Sequence, residues 1–202
     1  MKALWIFPIL IIATAAALAD KKSEFAAGPV SSYSARQTND KVTVAVMAYD
    51  TEELAHTAFG KLNPNQYGIL PVLVIIQNDT DQALKLENLQ VEYTGFDNRG
   101  VEATPVQDVQ TLNGPPKTPS IDRPSPLPRL GGKKKNPLNT WEIEGRAFAA
   151  KMLPPHESAN GFFYFQIEHR PGSKLYLTGI KIAATGKDIF FFDIPFDKKD
   201  AR

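Results

Sequence analysis

The feature that most constrains the fold is a succession of short apolar segments in the last third of the chain. Residues 161–168, 174–183 and 188–196 are rich in aromatic and β-branched side chains. Turn signals at Pro171-Gly172 and Thr185-Gly186 separate them. Such spacing is typical of antiparallel strands. We therefore predict an all-β, immunoglobulin-like antiparallel sandwich with one or two short helices, and the shortage of long helices argues against a parallel α/β sheet.

Two further strands are predicted in the first half of the chain. Residues 41–49 carry valines at alternate positions, which indicates a strand with one apolar face. Residues 68–77 form a continuous apolar run that is short and β-branched, so we predict a central strand buried on both faces. Pro71 has no backbone N–H, and it must therefore lie near the start of that strand or on a sheet edge.

The alternation changes parity in the next segment. Apolar residues occupy even positions over residues 84–86 and odd positions over residues 89–93. One regular strand cannot keep both sets on the same face, so a bend or bulge is expected near Glu87-Asn88. A turn at residues 97–100 then precedes a short predicted strand over residues 101–106.

Two segments favour helix. Residues 51–59 begin with carboxylates after a potential cap at Asp50 or Thr51, which predicts a short helix. Residues 139–153 resemble a helix that starts with a capping box, although Gly145 weakens it. A strand over residues 147–152 is the alternative.

The first nineteen residues have the features of a secretory signal peptide. A lysine precedes a nearly continuous apolar run, and small residues at Ala17 and Ala19 form a cleavage pattern that would leave Asp20 as the new N-terminus. A membrane anchor is the alternative, but the run is short of the ~20 residues that a membrane-spanning helix needs. We expect an exported protein, periplasmic or extracellular, with no transmembrane segment after cleavage. The chain has no cysteine, which excludes disulfides and thiol chemistry.

The remaining chain is divided into a leader, one domain and a tail. We predict a flexible polar leader over residues 20–39, a sandwich domain over residues 40–197 and a polar tail over residues 198–202. A Pro- and Lys-rich insertion interrupts the domain at residues 113–138. It is interpreted either as a surface loop partly packed over an aromatic face, or as a docking arm for an anionic surface. The candidate binding residues of such an arm are Lys133, Lys134, Lys135, Arg123 and Arg129.

Two stretches resemble a known group of proteins. Residues 70–100 combine an apolar strand, an Asn-Asp turn and a second strand that ends in a glycine turn. Residues 152–167 combine Leu-Pro, a small turn, a glycine and an aromatic strand. Together they resemble exported bacterial immunoglobulin-like domains of unknown function, similar to the DUF4352 group. The resemblance implies a fold and an exported setting, and it carries no catalytic residues.

The chemical motifs of common enzymes are missing from the sequence. There is no G-x-S-x-G or H-E-x-x-H motif, and the three histidines lie in separate predicted elements. We therefore predict no enzyme activity, no metal and no cofactor. Consecutive aromatic residues at 162–165 and 190–192 cannot all point into one core. Either other elements cover their second face, which we favour, or an exposed aromatic patch marks an interaction site.

The sequence supports two functional hypotheses. The first is a non-catalytic interaction or structural module of the periplasm or cell surface. Its partner would be another envelope protein or an anionic cell-surface polymer, and the net charge of +1 gives no reason to expect nucleic acid. The second is a carrier that holds a small apolar ligand in an aromatic-lined cavity.

Overall fold

The computed structural model describes residues 25–96, 98–112 and 136–197. The predicted signal peptide, the tail and residues 113–135 of the insertion lie outside this part of the chain. Within it the strands are β1 (Arg36–Asn39), β2 (Val42–Ala48), β3 (Leu70–Asn78), β4 (Leu84–Lys85), β5 (Gln90–Thr94), β6 (Gly100–Glu102), β7 (Met152–Leu153), β8 (Ser158–Phe165), β9 (Lys174–Thr178), β10 (Lys181–Ile182) and β11 (Phe192–Pro195). The helices are α1 (Glu52–Phe59), α2 (Val106–Val109) and α3 (Trp141–Glu144), with 3-10 turns at Val30–Ser32 and Pro64–Tyr67. No helix in the described ranges is both long and apolar enough to cross a membrane.

The strands form an antiparallel sandwich. One four-stranded sheet has the order β1-β2-β3-β8, the second has the order β11-β9-β5-β6, and a smaller sheet has the order β10-β4-β7. One core of buried aliphatic and aromatic side chains joins all three sheets. The prediction of an all-β antiparallel sandwich is confirmed, with three short helices in place of one or two.

Strand β3 lies inside its sheet, as its composition predicts. It pairs with β2 on one side and β8 on the other, and eight of its nine residues are buried. Pro71 is its second residue, and its carbonyl accepts a hydrogen bond from Tyr49 N–H at 2.9 Å. Strand β3 is therefore a central strand of this sheet, and it forms long antiparallel pairings on both sides.

The parity change after β4 has a different cause from the predicted bulge. Strands β4 and β5 belong to different sheets, and Leu89 N–H bonds to Leu86 carbonyl across the turn between them. The segment 174–183 is divided in the same way, since β9 and β10 lie in different sheets. Gly179 makes this second crossing possible: its φ is +90°, and a Cβ there would collide with the carbonyl oxygen of Asn88. Of the two predicted alternatives, the bend is confirmed at Glu87-Asn88, and a bulge within one strand is not found there.

The second face of the β3–β8 sheet is covered by helices. Helix α1 begins at the predicted cap, where Thr51 Oγ1 accepts a hydrogen bond from Leu54 N–H at 3.3 Å. Its Phe59 packs against Phe162 and Tyr164 of β8, and Ile143 of α3 is buried in the same cluster. Both faces of β8 are thus covered, which confirms the favoured interpretation for residues 162–165.

Two local predictions need correction. Residues 25–39 are not a free leader, because β1 pairs with β2 and the Phe25 ring lies 5.4 Å from that of Phe162. The predicted helix over residues 139–153 is reduced to the four residues of α3. After it the chain runs extended beside β8, where Phe148 N–H bonds to Phe162 carbonyl at 3.0 Å. These contacts between distant segments override the local helical pattern.

Candidate functional site

A groove opens at the edge of the sandwich beside β8. Two segments meet the outer edge of that strand: Thr104 N–H bonds to Tyr164 carbonyl at 2.7 Å, and Phe162 N–H bonds to Arg146 carbonyl at 2.8 Å. Between them, and extending toward β5 and β9, lies a groove with a volume of about 430 Å³. This is within the range of about 300–1,000 Å³ that is usual for ligand sites.

One wall of the groove is aromatic. The rings of Phe148 and Phe163 stack with centroids 5.3 Å apart and planes at 21°. Gly161 allows this wall to form, because a Cβ at that position would collide with the backbone of Phe148. Both rings are only partly buried, so the wall offers apolar surface to a bound molecule.

Acidic side chains also line the groove. Glu102 of β6, Glu92 of β5 and Tyr176 of β9 are directly paired across their strands, and Asp193 of β11 completes the row. Paired residues in antiparallel strands point to the same face. Lys174 Nζ lies 2.8 Å from Asp193. Glu92 and Glu102, in contrast, have no hydrogen-bond or ion-pair partner among the described residues.

An exposed aromatic surface continues the groove. Tyr176, which lines the groove, contacts Phe191 with ring centroids 5.6 Å apart. Phe191 and its neighbour Phe190 are 51% and 68% exposed. Phe192 is buried in the core while Phe190 and Phe191 face outward, so the prediction that other elements cover the aromatics was wrong for these two residues.

Tyr164 holds the back of the groove in place. Its hydroxyl donates a hydrogen bond of 2.7 Å to the carbonyl of Ile143 in α3. Burial raises the pKa of this phenol, and the nearby Arg146 guanidinium only partly opposes the effect. The hydroxyl stays protonated at neutral pH, so its role is to connect β8 and α3.

The histidines do not come together. His56 faces Glu52, His156 lies 3.2 Å from Asp81, and His169 Nδ1 lies 2.9 Å from the Tyr93 hydroxyl. In the described part of the chain no group of three or more histidine, aspartate or glutamate side chains could hold a metal ion.

The binding residues predicted from sequence lie outside the described residues. Lys133, Lys134, Lys135, Arg123 and Arg129 all belong to the segment 113–135. Its two described flanks meet: Asn136 Nδ2 donates to the carbonyls of Gln110 and Leu112, each at 2.6 Å. That junction follows α2, whose first residue Val106 lines the groove.

The two glutamates of the groove were not predicted, whereas three of its aromatic residues belong to the cluster at 162–165 that the sequence singled out. Glu92 and Glu102 are ten positions apart and look like ordinary exposed carboxylates of a hairpin. Only the strand register, fixed by a turn in which Gly95 N–H bonds to Arg99 carbonyl, brings them opposite each other. The sequence did contain one indication of this pairing, namely the turn at residues 97–100 between two predicted strands.

Comparisons with known proteins assign no function to the groove. No protein-family model matches the chain, and no curated protein matches it. Among solved structures, a Bordetella pertussis protein that carries the name ApaA is 12% identical, with a TM-score of 0.37, over 83% of this chain and 99% of its own. A functionally unknown protein from Listeria monocytogenes is 12% identical, with a TM-score of 0.35, over 81% of this chain and 82% of its own. A Northeast Structural Genomics Consortium target is 14% identical, with a TM-score of 0.35, over 80% of this chain and 91% of its own.

Proposed function

We propose that this protein is a non-catalytic, exported binding module and that the groove beside β8 is its binding surface. The observation that supports this most directly is the combination of an aromatic wall, formed by Phe148 and Phe163, with polar side chains in the lining of the same groove. Concave surfaces that are mainly apolar and carry a few converging polar groups are the usual form of ligand sites. Export is supported by the signal-peptide pattern of residues 1–19.

The polar groups of the groove favour binding over catalysis. They are two glutamates, two tyrosines and neutral hydroxyl or amide groups such as Thr178 and Gln90. Among the described residues no histidine, lysine or arginine lines the groove, and the sequence contains no cysteine. The lining therefore lacks the nucleophile–base pairs on which acyl transfer depends.

A carrier for a small apolar ligand is the second candidate. The stacked Phe148 and Phe163 rings favour it, because they give the groove an apolar surface. The carboxylates that line the same groove oppose it, because a neutral apolar molecule would desolvate them without compensation.

A cysteine-free chain allows a direct test. Thr178→Cys places one thiol in the groove, and Glu53→Cys places one on the exposed start of α1. Each variant is labelled with an environment-sensitive dye and titrated with 3-phenylpropylamine, 3-phenylpropanol and 3-phenylpropionate. We expect a saturable change at the groove dye with at least one compound and none at the Glu53 dye. Equal changes at both dyes would refute the proposal, and so would the absence of a saturable change in the groove with both these compounds and extended peptides.

A further inference from the structure

Glu92 and Glu102 form a like-charge pair, which makes no favourable contribution to the stability of the fold. Glu92 and Glu102 stand directly opposite each other in the β5–β6 pair, and like charges in such a pair are unfavourable. No cation of the described residues compensates them. The Glu92 carboxylate also lies against Gly100, where an added Cβ would be 3.1 Å from its Oε2. Local rules that a protein breaks without a compensating contact are often broken at functional sites.

The surroundings of this pair suit an organic cation. Tyr176 is paired directly with Glu92, so a phenol ring stands beside the carboxylates on the same face of the sheet. Phe148 and Phe163 line the same groove. Ammonium and guanidinium groups are attracted both to carboxylates and to aromatic faces, and the attraction is stronger where water is partly excluded. A metal ion fits less well, because two carboxylates in an aromatic groove do not supply the six or more oxygen ligands that hard cations require.

The shape of the surface favours an extended molecule. The row from Glu102 to Tyr176 crosses three strands, which is about 10 Å at the usual strand spacing. Phe191 continues it beyond Tyr176 on the exposed face. A single small cation would leave most of this length uncovered. An extended chain rises ~3.3 Å per residue, so about four residues would cover it.

We infer that the groove binds an extended basic segment of another protein, with a lysine or arginine side chain between Glu92 and Glu102 and apolar neighbours against the aromatic surface. This inference rests on the proposed function and specifies its ligand. The charge of the groove is complementary to such a segment, and peptide recognition by aromatic-lined grooves is a recurring mode. It differs from the arm hypothesis, in which this chain would supply the basic side.

The test compares peptides that differ in one charge. Fluorescein-labelled acetyl-Gly-Pro-Leu-Lys-Leu-Pro-Gly-amide is titrated by anisotropy against the full chain, beside peptides with glutamine or glutamate in place of lysine. We expect the lysine peptide to bind at least tenfold more tightly than the glutamine peptide, the glutamate peptide to show no binding, and the preference to weaken as salt is raised.

Matched variants assign the preference to the two glutamates. Glu92→Gln combined with Glu102→Gln should reduce binding of the lysine peptide at least tenfold and bring it level with the glutamine peptide. Glu52→Gln combined with Glu53→Gln removes the same charge from α1 and should leave the preference unchanged. Circular dichroism confirms that both variants fold.

The possible failures are distinguishable. Equal binding of lysine and glutamine peptides, or a preference that survives in the Glu92/Glu102 variant, would overturn the inference while leaving the groove a binding surface. Binding of a phenylpropyl compound without any peptide binding would also overturn it and favour the small-ligand carrier. If neither peptides nor phenylpropyl compounds bind, the proposed function fails as well.

Discussion

The side-chain amide of Asn78 donates a hydrogen bond of 2.9 Å to the carbonyl of Pro154, which joins two turns 76 residues apart in the sequence. The same amide donates to the Gln82 carbonyl at 2.8 Å, and its oxygen accepts from the Thr80 hydroxyl at 2.7 Å. Asn78 is completely buried. Its position in an Asn-x-Thr sequon therefore reflects a structural role, since the folded protein offers no access to the amide.

Replacing Asn78 should be costly. Asn78→Ala leaves buried carbonyls of two turns without a donor, and each such loss costs about 1–3 kcal/mol. We expect the free energy of unfolding to fall by about 2–3 kcal/mol, measured by urea denaturation. Asn160→Ala, at an exposed position of β8, is the control and should change stability by less than about 0.5 kcal/mol. Equal effects of the two substitutions would contradict the role assigned to Asn78.

Stability and binding should change in opposite directions at Glu102. Glu102→Gln removes a like-charge pair with Glu92, and such pairs cost about 0.2–1 kcal/mol. We expect the free energy of unfolding in low-salt buffer to rise by up to about 1 kcal/mol relative to the unmodified protein. The increase should become smaller at high salt, because salt screens the repulsion. Glu87→Gln, on an exposed turn, serves as the control. A loss of stability in Glu102→Gln would show that Glu102 has a stabilising partner and would weaken the inference about the groove.

Sequence patterns predicted the elements whose stability is local or whose pattern is unambiguous. The apolar run of β3 and the Thr51 cap of α1 are of this kind. The helix predicted over residues 139–153 stops after α3 because Phe148 finds a backbone partner in β8, which no local pattern shows. The Glu92–Glu102 pair was missed for a related reason, since strand register depends on how the intervening turn closes. The residues of the groove are therefore brought together by strand pairing, and strand pairing is difficult to predict from a single sequence.

Alkaline pH should destabilise the protein through its buried tyrosines. Burial, with a smaller contribution from Tyr33, raises the pKa of Tyr49 from 10.0 to about 12. A pKa that is higher in the folded state means that the unfolded state loses its proton first, so stability is full below pH 10 and falls as the pH rises toward 12. The loss from Tyr49 should be about 1.4 kcal/mol at pH 11. Urea denaturation at pH 8 and pH 11 measures it.

Phenylalanine substitutions isolate the tyrosine contribution from that of other titrating groups. Tyr49→Phe combined with Tyr164→Phe should be less stable than the unmodified protein at pH 8, because the Tyr164 hydrogen bond to Ile143 is lost. Its further loss of stability between pH 8 and pH 11 should be smaller. An unchanged pH dependence would mean that these two phenols ionise normally in the folded state.

The segment 113–135 should be replaceable without loss of the fold. Its described flanks are already held together, since Asn136 Nδ2 bonds to the Leu112 carbonyl at 2.6 Å. Shortening 23 residues to a linker of about six is roughly two halvings of loop length, and each halving favours folding by about 0.6 kcal/mol. We expect urea denaturation to show equal or greater stability, by up to about 1 kcal/mol. Adding Asn136→Ala should then cost about 1–2 kcal/mol, because two carbonyls lose their donor. A replacement that instead lowers stability by several kcal/mol would show that residues 113–135 cover part of the core, as the packed-loop interpretation of the insertion requires.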